Sequence, residues 1–284
     1  MRRAYEIAAL MLVLCLVLVL GWIFLPRADD SLARARAGGV LRVGYALEAP
    51  FVLLQPEPAA SAPALRVSGE SPEVLRAALA RVGITRLEWL RADFGSLIHE
   101  LESGRIDVIA AGMFITPARS QRVAFSLPSV ALRTGLLQPV DLLPITPSLA
   151  ELQHFPQRRL AVLEGSVEAA LARSSGFPEA RLIAYPDAPS ALDALKRGRV
   201  EALALSSVSL RYMQRNLPAG AYHLSPDVVP DAPAGLAAFA VRSQDQALRE
   251  ALDQALAGFL GSAEHLALVA PFGIAAADLP EARP

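Results

Sequence analysis

Cysteine and lysine are nearly absent from this sequence, with Cys15 and Lys196 as the only residues of each type. A single cysteine excludes a disulfide framework and a cysteine metal site. Because the other basic residues are all arginines, the choice of arginine over lysine says little at any one position. The net charge of −1 gives no excess of positive charge that would favour binding to a nucleic acid. The few histidines show no ligand spacing, so no metal site is predicted from them; they are His99, His154, His223 and His265.

One long hydrophobic run is present, from Ile7 to Leu25, with arginines on both sides. As a helix these 19 residues would span roughly 28 Å, close to the thickness of a bilayer core. The hydrophobic core of a signal peptide is shorter, about 7–15 residues. The candidate cleavage site, Ala33 to Ala37, is charged and set back from the run. We predict a transmembrane anchor within residues 1–26, which leaves the rest on the periplasmic or extracellular side. The alternative is a cleaved signal and a soluble periplasmic protein.

Segments with strand and helix patterns alternate through the remainder of the chain, which predicts an α/β architecture with a largely parallel sheet. The pattern divides into a linker at 27–38, a first lobe at 39–136, a second lobe at 137–233, and a return to the first lobe with C-terminal helices at 234–284. Two passages between two lobes create a cleft, where small-molecule sites preferentially lie.

The stretch from Gly104 to Ser126 organises the predicted site. A short apolar strand is followed by Thr116 and Pro117, which suit the N-cap and the first position of a helix. Arg119 lies in that first turn. A helix N-terminus beside an arginine is a natural receptor for an anionic group.

Five motifs in order resemble the extracytoplasmic solute-binding proteins of amino-acid-type ABC transporters, over Val40 to Ile274. They are LRVG with a downstream PF, GRIDVIAAGMFITPARSQRVAFSLP, LEGSVEAAL, LKRGRVEAL and APFGI. The resemblance implies the two-lobed type 2 periplasmic-binding fold, which closes on a small solute about a hinge. It also implies an ABC permease as the membrane partner, with no cofactor and no catalysis.

By this resemblance Arg119 binds the carboxylate of the solute. The ends of the central strand and of the second-lobe glycine-serine turn also contact the solute, through Ala111, Gly112 and Ser166. Two positions depart from the family pattern. Ser206 stands where amino-acid binders carry an acid for the ammonium group, and Val167 where they often carry a hydroxyl. Since a buried ammonium without a carboxylate is costly, an ordinary α-amino acid fits this pattern less well.

Three aromatic residues fall on pocket positions of the first lobe, again by resemblance: Phe51, Phe94 and Phe114. Aromatic faces hold a diffuse cation by cation–π attraction, and Glu48 adds a negative charge beside them. This pattern is similar to family members that bind ectoine-like compatible solutes. The alternative is that the phenylalanines belong to the ordinary hydrophobic core.

The expected function is therefore capture of a small zwitterion for import. A sensory or accessory domain that regulates a membrane partner is the first alternative. A dehydratase-like enzyme on the same fold is the second, and it is disfavoured because the pocket motifs contain no histidine and no nucleophile–base pair.

Overall fold

The computed structural model describes residues 30–57, 64–229 and 234–281, together with Met11. Nearly all of the hydrophobic run at 7–25 lies outside these residues, so the predicted anchor is not part of the description. Within the described residues, no helix has the length and apolar character needed to cross a bilayer.

Ten α-helices are described, including the one predicted to begin at Pro117. They are α1 (Ser31–Arg36), α2 (Glu70–Arg81), α3 (Leu97–Glu102), α4 (Pro117–Ser120), α5 (Leu149–Leu152), α6 (Val167–Ser174), α7 (Ala188–Lys196), α8 (Ser207–Gln214), α9 (Gln246–Ala257) and α10 (Ala263–Val269).

Thirteen strands are described alongside them. They are β1 (Leu41–Tyr45), β2 (Leu53–Pro56), β3 (Leu65–Ser68), β4 (Leu87–Arg91), β5 (Val108–Phe114), β6 (Val123–Phe125), β7 (Val130–Leu132), β8 (Thr134–Pro139), β9 (Leu160–Leu163), β10 (Leu182–Tyr185), β11 (Ala202–Ser206), β12 (Tyr222–Ser225) and β13 (Gly235–Arg242).

Two separate sheets form the centres of two lobes, as expected for the α/β two-lobed fold. Lobe I has the strand order β4-β1-β5-β13-β6, with β7 also paired to β13. Lobe II has the order β10-β9-β11-β8-β12, and β2 with β3 makes a small hairpin.

The prediction of largely parallel sheets is wrong. In lobe I, β1 runs parallel to β4 and β5, but β13 runs antiparallel to β5, β6 and β7. In lobe II, β9 runs parallel to β10 and β11, whereas β8 runs antiparallel to β11 and β12. β8 and β13 are each the first strand after the chain passes from one lobe to the other. Each runs in the opposite direction to the βαβ units of the sheet that it joins.

The first passage between the lobes occurs at Arg133, since β7 pairs in lobe I and β8 pairs in lobe II. The boundary predicted between 136 and 137 falls within β8. The second passage lies between β12 in lobe II and β13 in lobe I.

The lobes are closed on each other. The Phe94 N–H donates to the Pro186 carbonyl, and the Ala188 N–H donates to the Leu47 carbonyl, both at 3.1 Å. An Arg91–Asp187 ion pair of 2.6 Å spans the same boundary. One continuous cluster of buried apolar residues includes Phe94 of lobe I and Ala188 of lobe II. The cleft is therefore seen in its closed state.

Residues 27–38, predicted to be a linker, contain α1, which is docked on lobe I. Ser31 is fully buried and Ala35 nearly so. The Ser31 hydroxyl donates to Asp245 at 3.0 Å and accepts from Arg242 at 2.7 Å. Arg34 of the same helix pairs with Asp107 at 2.9 Å. These buried polar contacts join segments more than 70 positions apart, so nothing local in the sequence reveals them.

Candidate functional site

Near the end of the central strand β5, the backbone of Gly112 lies against the ring of Phe51. Gly112 has φ of +59°, and a Cβ there would lie 2.7 Å from Cγ of Phe51. Only glycine combines this left-handed conformation with the absence of a side chain that would strike the ring. The Gly112 N–H donates to the Ser71 hydroxyl at 3.2 Å. Ala111, just before it, is buried.

The turn after β5 forms the predicted helix start. Thr116 is the N-cap of α4, its hydroxyl accepts the Arg119 N–H at 3.2 Å, and Pro117 is the first helical residue. The sequence prediction of this cap is confirmed.

Arg119 lies between the two lobes with 9% of its surface exposed. Its Nη1 donates to the Phe114 carbonyl of lobe I at 2.7 Å, and its Nη2 donates to the Gly165 carbonyl of lobe II at 2.9 Å. Both acceptors are neutral. Burial lowers the pKa of Arg119, and the negative charge of Glu168 acts against that effect.

The three phenylalanines predicted to line the pocket have different surroundings. The ring centroid of Phe94 lies 5.6 Å from Cζ of Arg119. Phe114 is half-buried, and its ring covers Gly235, where a Cβ would lie 2.5 Å from the ring atoms. Phe51 is 1% exposed and belongs to the hydrophobic core of lobe I. Phe51 therefore fits the alternative of a core residue as well as that of a pocket wall.

The two lobe II serines both cap helices. The Ser166 hydroxyl is the N-cap of α6 and accepts the Ala169 N–H at 3.1 Å. Val167 is the first residue of that helix. The Ser206 hydroxyl is the N-cap of α8 and accepts the Ser209 N–H at 3.1 Å.

A chain of hydroxyl groups connects Ser206 to lobe I. The Ser206 hydroxyl donates to the Ser209 hydroxyl at 3.0 Å, and that hydroxyl donates to Glu48 Oε1 at 2.7 Å. Glu48 is 8% exposed. Burial and, second, the negative charge of Glu168 raise the pKa of Glu48 to about 8, although the Ser209 hydrogen bond lowers it. At neutral pH the free cleft therefore holds a proton on Glu48.

The structure brings one further residue to the site that sequence reasoning missed, Glu168. It lies in the first turn of α6 and is 4% exposed. Burial raises its pKa, while its own backbone N–H, the Ser166 hydroxyl, the Arg119 charge and the Thr134 hydroxyl each lower it. The sequence contains a faint signal, an acid two residues after Ser166, but a charged residue in the first turn of a helix is ordinarily exposed.

Among the residues that the structure describes, no group of three or more His, Cys, Asp or Glu side chains is arranged to hold a metal ion.

A protein-family model matches residues 41–271, and it describes bacterial extracellular solute-binding proteins, family 3. The match covers both lobes and both passages between them. All the predicted site residues lie inside it.

Two curated relatives match over part of their length. A probable amino-acid ABC transporter periplasmic-binding protein, y4tE of Sinorhizobium fredii (strain NBRC 101917 / NGR234), is 26% identical over 62% of this chain and 57% of that protein. The lysine/arginine/ornithine-binding periplasmic protein of Escherichia coli (strain K12) is 31% identical over 46% of this chain and 50% of that protein. The chain thus spans about half the length of the curated relatives it matches.

Two solved structures are similar over nearly the whole fold. The crystal structure of EhuB in complex with hydroxyectoine has a TM-score of 0.79 and 28% identity, covering 88% of this chain and 95% of that one. The ancestral amino acid-binding protein AncCDT-1, a precursor of cyclohexadienyl dehydratase, has a TM-score of 0.72 and 21% identity over 85% of this chain and 98% of that one. At 21% identity, the similarity to AncCDT-1 shows a shared fold and nothing about function.

Proposed function

The chain belongs to the bacterial extracellular solute-binding proteins of family 3, and we propose that it captures a small zwitterionic solute for import by an ABC permease. Its work is selective binding in a closing cleft, and it needs no cofactor. The solute is an amino acid or an ectoine-like compound.

The position of Arg119 carries this proposal. Its guanidinium is buried between the lobes and bonds to a carbonyl on each side, at Phe114 and Gly165. A carboxylate bound there would link both lobes through charge-assisted hydrogen bonds, which are stronger than bonds to neutral carbonyls. Binding would then favour the closed state over the open one, as population shift requires.

The aromatic residues support the ectoine-like alternative. The ring of Phe94 lies within cation–π distance of Arg119. Phe114 lies five residues before Arg119, and its carbonyl accepts a hydrogen bond from that side chain. EhuB, whose crystal structure contains hydroxyectoine, is similar over 88% of this chain. Amino-acid ligands are supported by the descriptions of the two curated relatives.

A thermal-shift screen of residues 30–284 tests the proposal. Amino acids, betaines and ectoines would be added one at a time, and a true ligand raises the melting temperature because it binds only the folded state. The fragment begins before Ser31, so that α1 keeps its place on lobe I. If no member of the three classes changes the melting temperature, the proposed ligand class is wrong.

Replacing Phe114 with serine tests the aromatic cage. We expect affinity for hydroxyectoine to fall about 2- to 30-fold, the range of one cation–π contact of about 0.5–2 kcal/mol. Affinity for an amino acid should fall less, or rise. Isothermal calorimetry measures both. Phe155→Ser is the control, because that ring lies in lobe II against Arg158. Equal losses for both ligand classes would indicate packing damage and refute the cage.

A dehydratase-like activity is the second candidate, and the pKa of Glu48 favours it, because a carboxyl that stays protonated at neutral pH can serve as a general acid. Turnover of a cyclohexadienyl substrate by the purified protein would establish this activity. A sensory or accessory role uses the same capture step, and a signalling partner that co-purifies with the liganded protein would distinguish it from import.

We propose that residues 1–26 remain as a membrane anchor. The docking of α1 supports retention of the N-terminus, because a cut within Ala33–Ala37 would remove Ser31 and its buried bonds to Arg242 and Asp245. The protein should stay in the membrane fraction after a high-salt wash, and mass spectrometry should find its N-terminus intact. A mature N-terminus near Ala35 would show a cleaved signal instead.

A further inference from the structure

Lobe II lacks an acid at the end of strand β11, where Ser206 uses its hydroxyl to cap a helix. A serine hydroxyl cannot neutralise a buried ammonium or a diffuse cation. If the solute carries a positive charge, another residue of lobe II must balance it.

Glu168 stands beside that position, although it comes from a different element. Burial raises the pKa of Glu168, and a hydrogen bond with the Thr134 hydroxyl acts against that rise. Thr134 is the ladder partner of Ser206 on the neighbouring strand. The turn that presents Glu168 also supplies the Gly165 carbonyl to Arg119 at 2.9 Å. Glu168 is thus held between the Arg119 contact and the Ser206 strand end.

Glu168 interacts electrostatically with Arg119 and Glu48 of lobe I across the cleft. The positive charge of Arg119 lowers its pKa, and the negative charge of Glu168 in turn raises the pKa of Glu48. Glu48 is fixed from the lobe II side by the Ser209 hydroxyl at 2.7 Å. The remaining groups that act on the two acids are the backbone N–H of Glu168 and the hydroxyls of Ser166 and Thr134.

If both acids were ionised, the negative charge of this cluster would exceed the single positive charge of Arg119. Glu48 and Glu168 are two acids on opposite lobes, whereas Arg119 is one base and already gives two hydrogen bonds to neutral carbonyls. Burial and the repulsion between two nearby carboxylates both keep Glu48 protonated in the closed cleft. A cation between them removes that repulsion, while a carboxylate on the same solute satisfies Arg119.

We propose that Glu168 is the lobe II carboxylate that holds the cationic group of the solute, opposite Glu48. This assignment rests on the proposed function and narrows it. The cleft selects solutes that carry a cationic group, and it rejects solutes that are only anionic. The negative charge that the Ser206 position lacks is supplied from the first turn of α6.

Calorimetric titration of Glu168→Gln tests this assignment, with hydroxyectoine and L-arginine as the probes. The substitution keeps the size of the side chain and removes its charge. We expect it to weaken binding of whichever probe the wild type binds by about tenfold or more, as for the loss of a charge-assisted hydrogen bond. L-Glutamate, with two carboxylates, should bind the wild type more weakly than either probe and gain affinity in the variant.

A second readout separates a charge role from a packing role. When a cation binds, Glu48 gives up the proton that it holds at pH 7, so the binding enthalpy depends on the ionisation enthalpy of the buffer. Glu168→Gln should reduce this proton release, because it removes the charge that raises the pKa of Glu48. Glu168→Asp, which keeps the charge, should restore part of the affinity. The control is Glu151→Gln, an exposed acid in the first turn of α5 behind the cap Ser148.

Unchanged affinity and unchanged proton release in Glu168→Gln would overturn the assignment while leaving the proposed function in place. Tighter binding of the probes by Glu168→Gln would also overturn it, since Glu168 would then compete with the solute carboxylate for Arg119. If the wild type binds neither probe nor any other zwitterion, the proposed function fails, and this assignment fails with it.

Discussion

Arg119→Ala is expected to lower solute affinity by about 100-fold or more, the largest effect of any single change in the cleft. The variant removes the buried arginine that bonds to both lobes, at Phe114 and Gly165. Truncating one partner of a buried, hydrogen-bonded charge pair costs about 3 kcal/mol or more, and each 1.4 kcal/mol is tenfold in affinity. Calorimetric titration with a solute from the thermal-shift screen measures the loss.

Arg122→Ala is the matched control for this prediction. Arg122 lies three positions further along and is exposed, where it pairs with Glu102 at 2.6 Å. Its removal should leave the affinity unchanged, because exposed ion pairs contribute little. Circular dichroism should show both variants folded. If Arg119→Ala binds the solute as tightly as the wild type does, the carboxylate assignment is wrong.

Asp107→Ala is expected to destabilise the protein by about 3–5 kcal/mol, which is the usual cost of breaking a buried ion pair by removing one partner. The Asp107 side chain is fully buried, and it pairs with Arg42 at 2.8 Å, Arg34 at 2.9 Å and Arg242 at 3.0 Å. Arg242 is itself 8% exposed, so the variant leaves a buried positive charge with less compensation. Urea denaturation followed by circular dichroism measures the free energy of unfolding.

Asp193→Ala is the control, since that exposed side chain pairs with Arg197 one helical turn away. Its loss should cost less than about 1 kcal/mol. If Asp107→Ala also lowered the free energy of unfolding by less than about 1 kcal/mol, the ion pairs of Asp107 would not stabilise the fold as expected.

The same cluster predicts a dependence on pH. Burial acts to raise the pKa of Asp107, but the hydrogen bonds from Arg42 and Arg242 outweigh it and hold the pKa below its usual value. A depressed carboxyl pKa stabilises the fold above the unfolded pKa, and this stability is lost as the pH falls through the folded pKa. The wild type should therefore lose stability below about pH 4, and Asp107→Ala should lose less of it there.

The sequence by itself was sufficient to predict the elements with strong local signals. The N-cap Thr116 and the proline after it predict a helix that the structure contains. The order of five motifs placed both lobes, and the family match over residues 41–271 agrees with it. These features are readable because a cap, an amphipathic face or a glycine turn depends on residues within one or two turns of chain.

Tertiary structure alone decided the features that join distant parts of the chain. The direction of β13 depends on its arrival from lobe II, and the docking of α1 depends on Asp107 and Arg242, more than 70 and 200 positions away. By resemblance the acidic position of lobe II is occupied by Ser206, whereas the burial of Glu168 is visible only in the structure. A buried charge is defined by what surrounds it in space, and that surrounding is assembled from both lobes only when the cleft is closed.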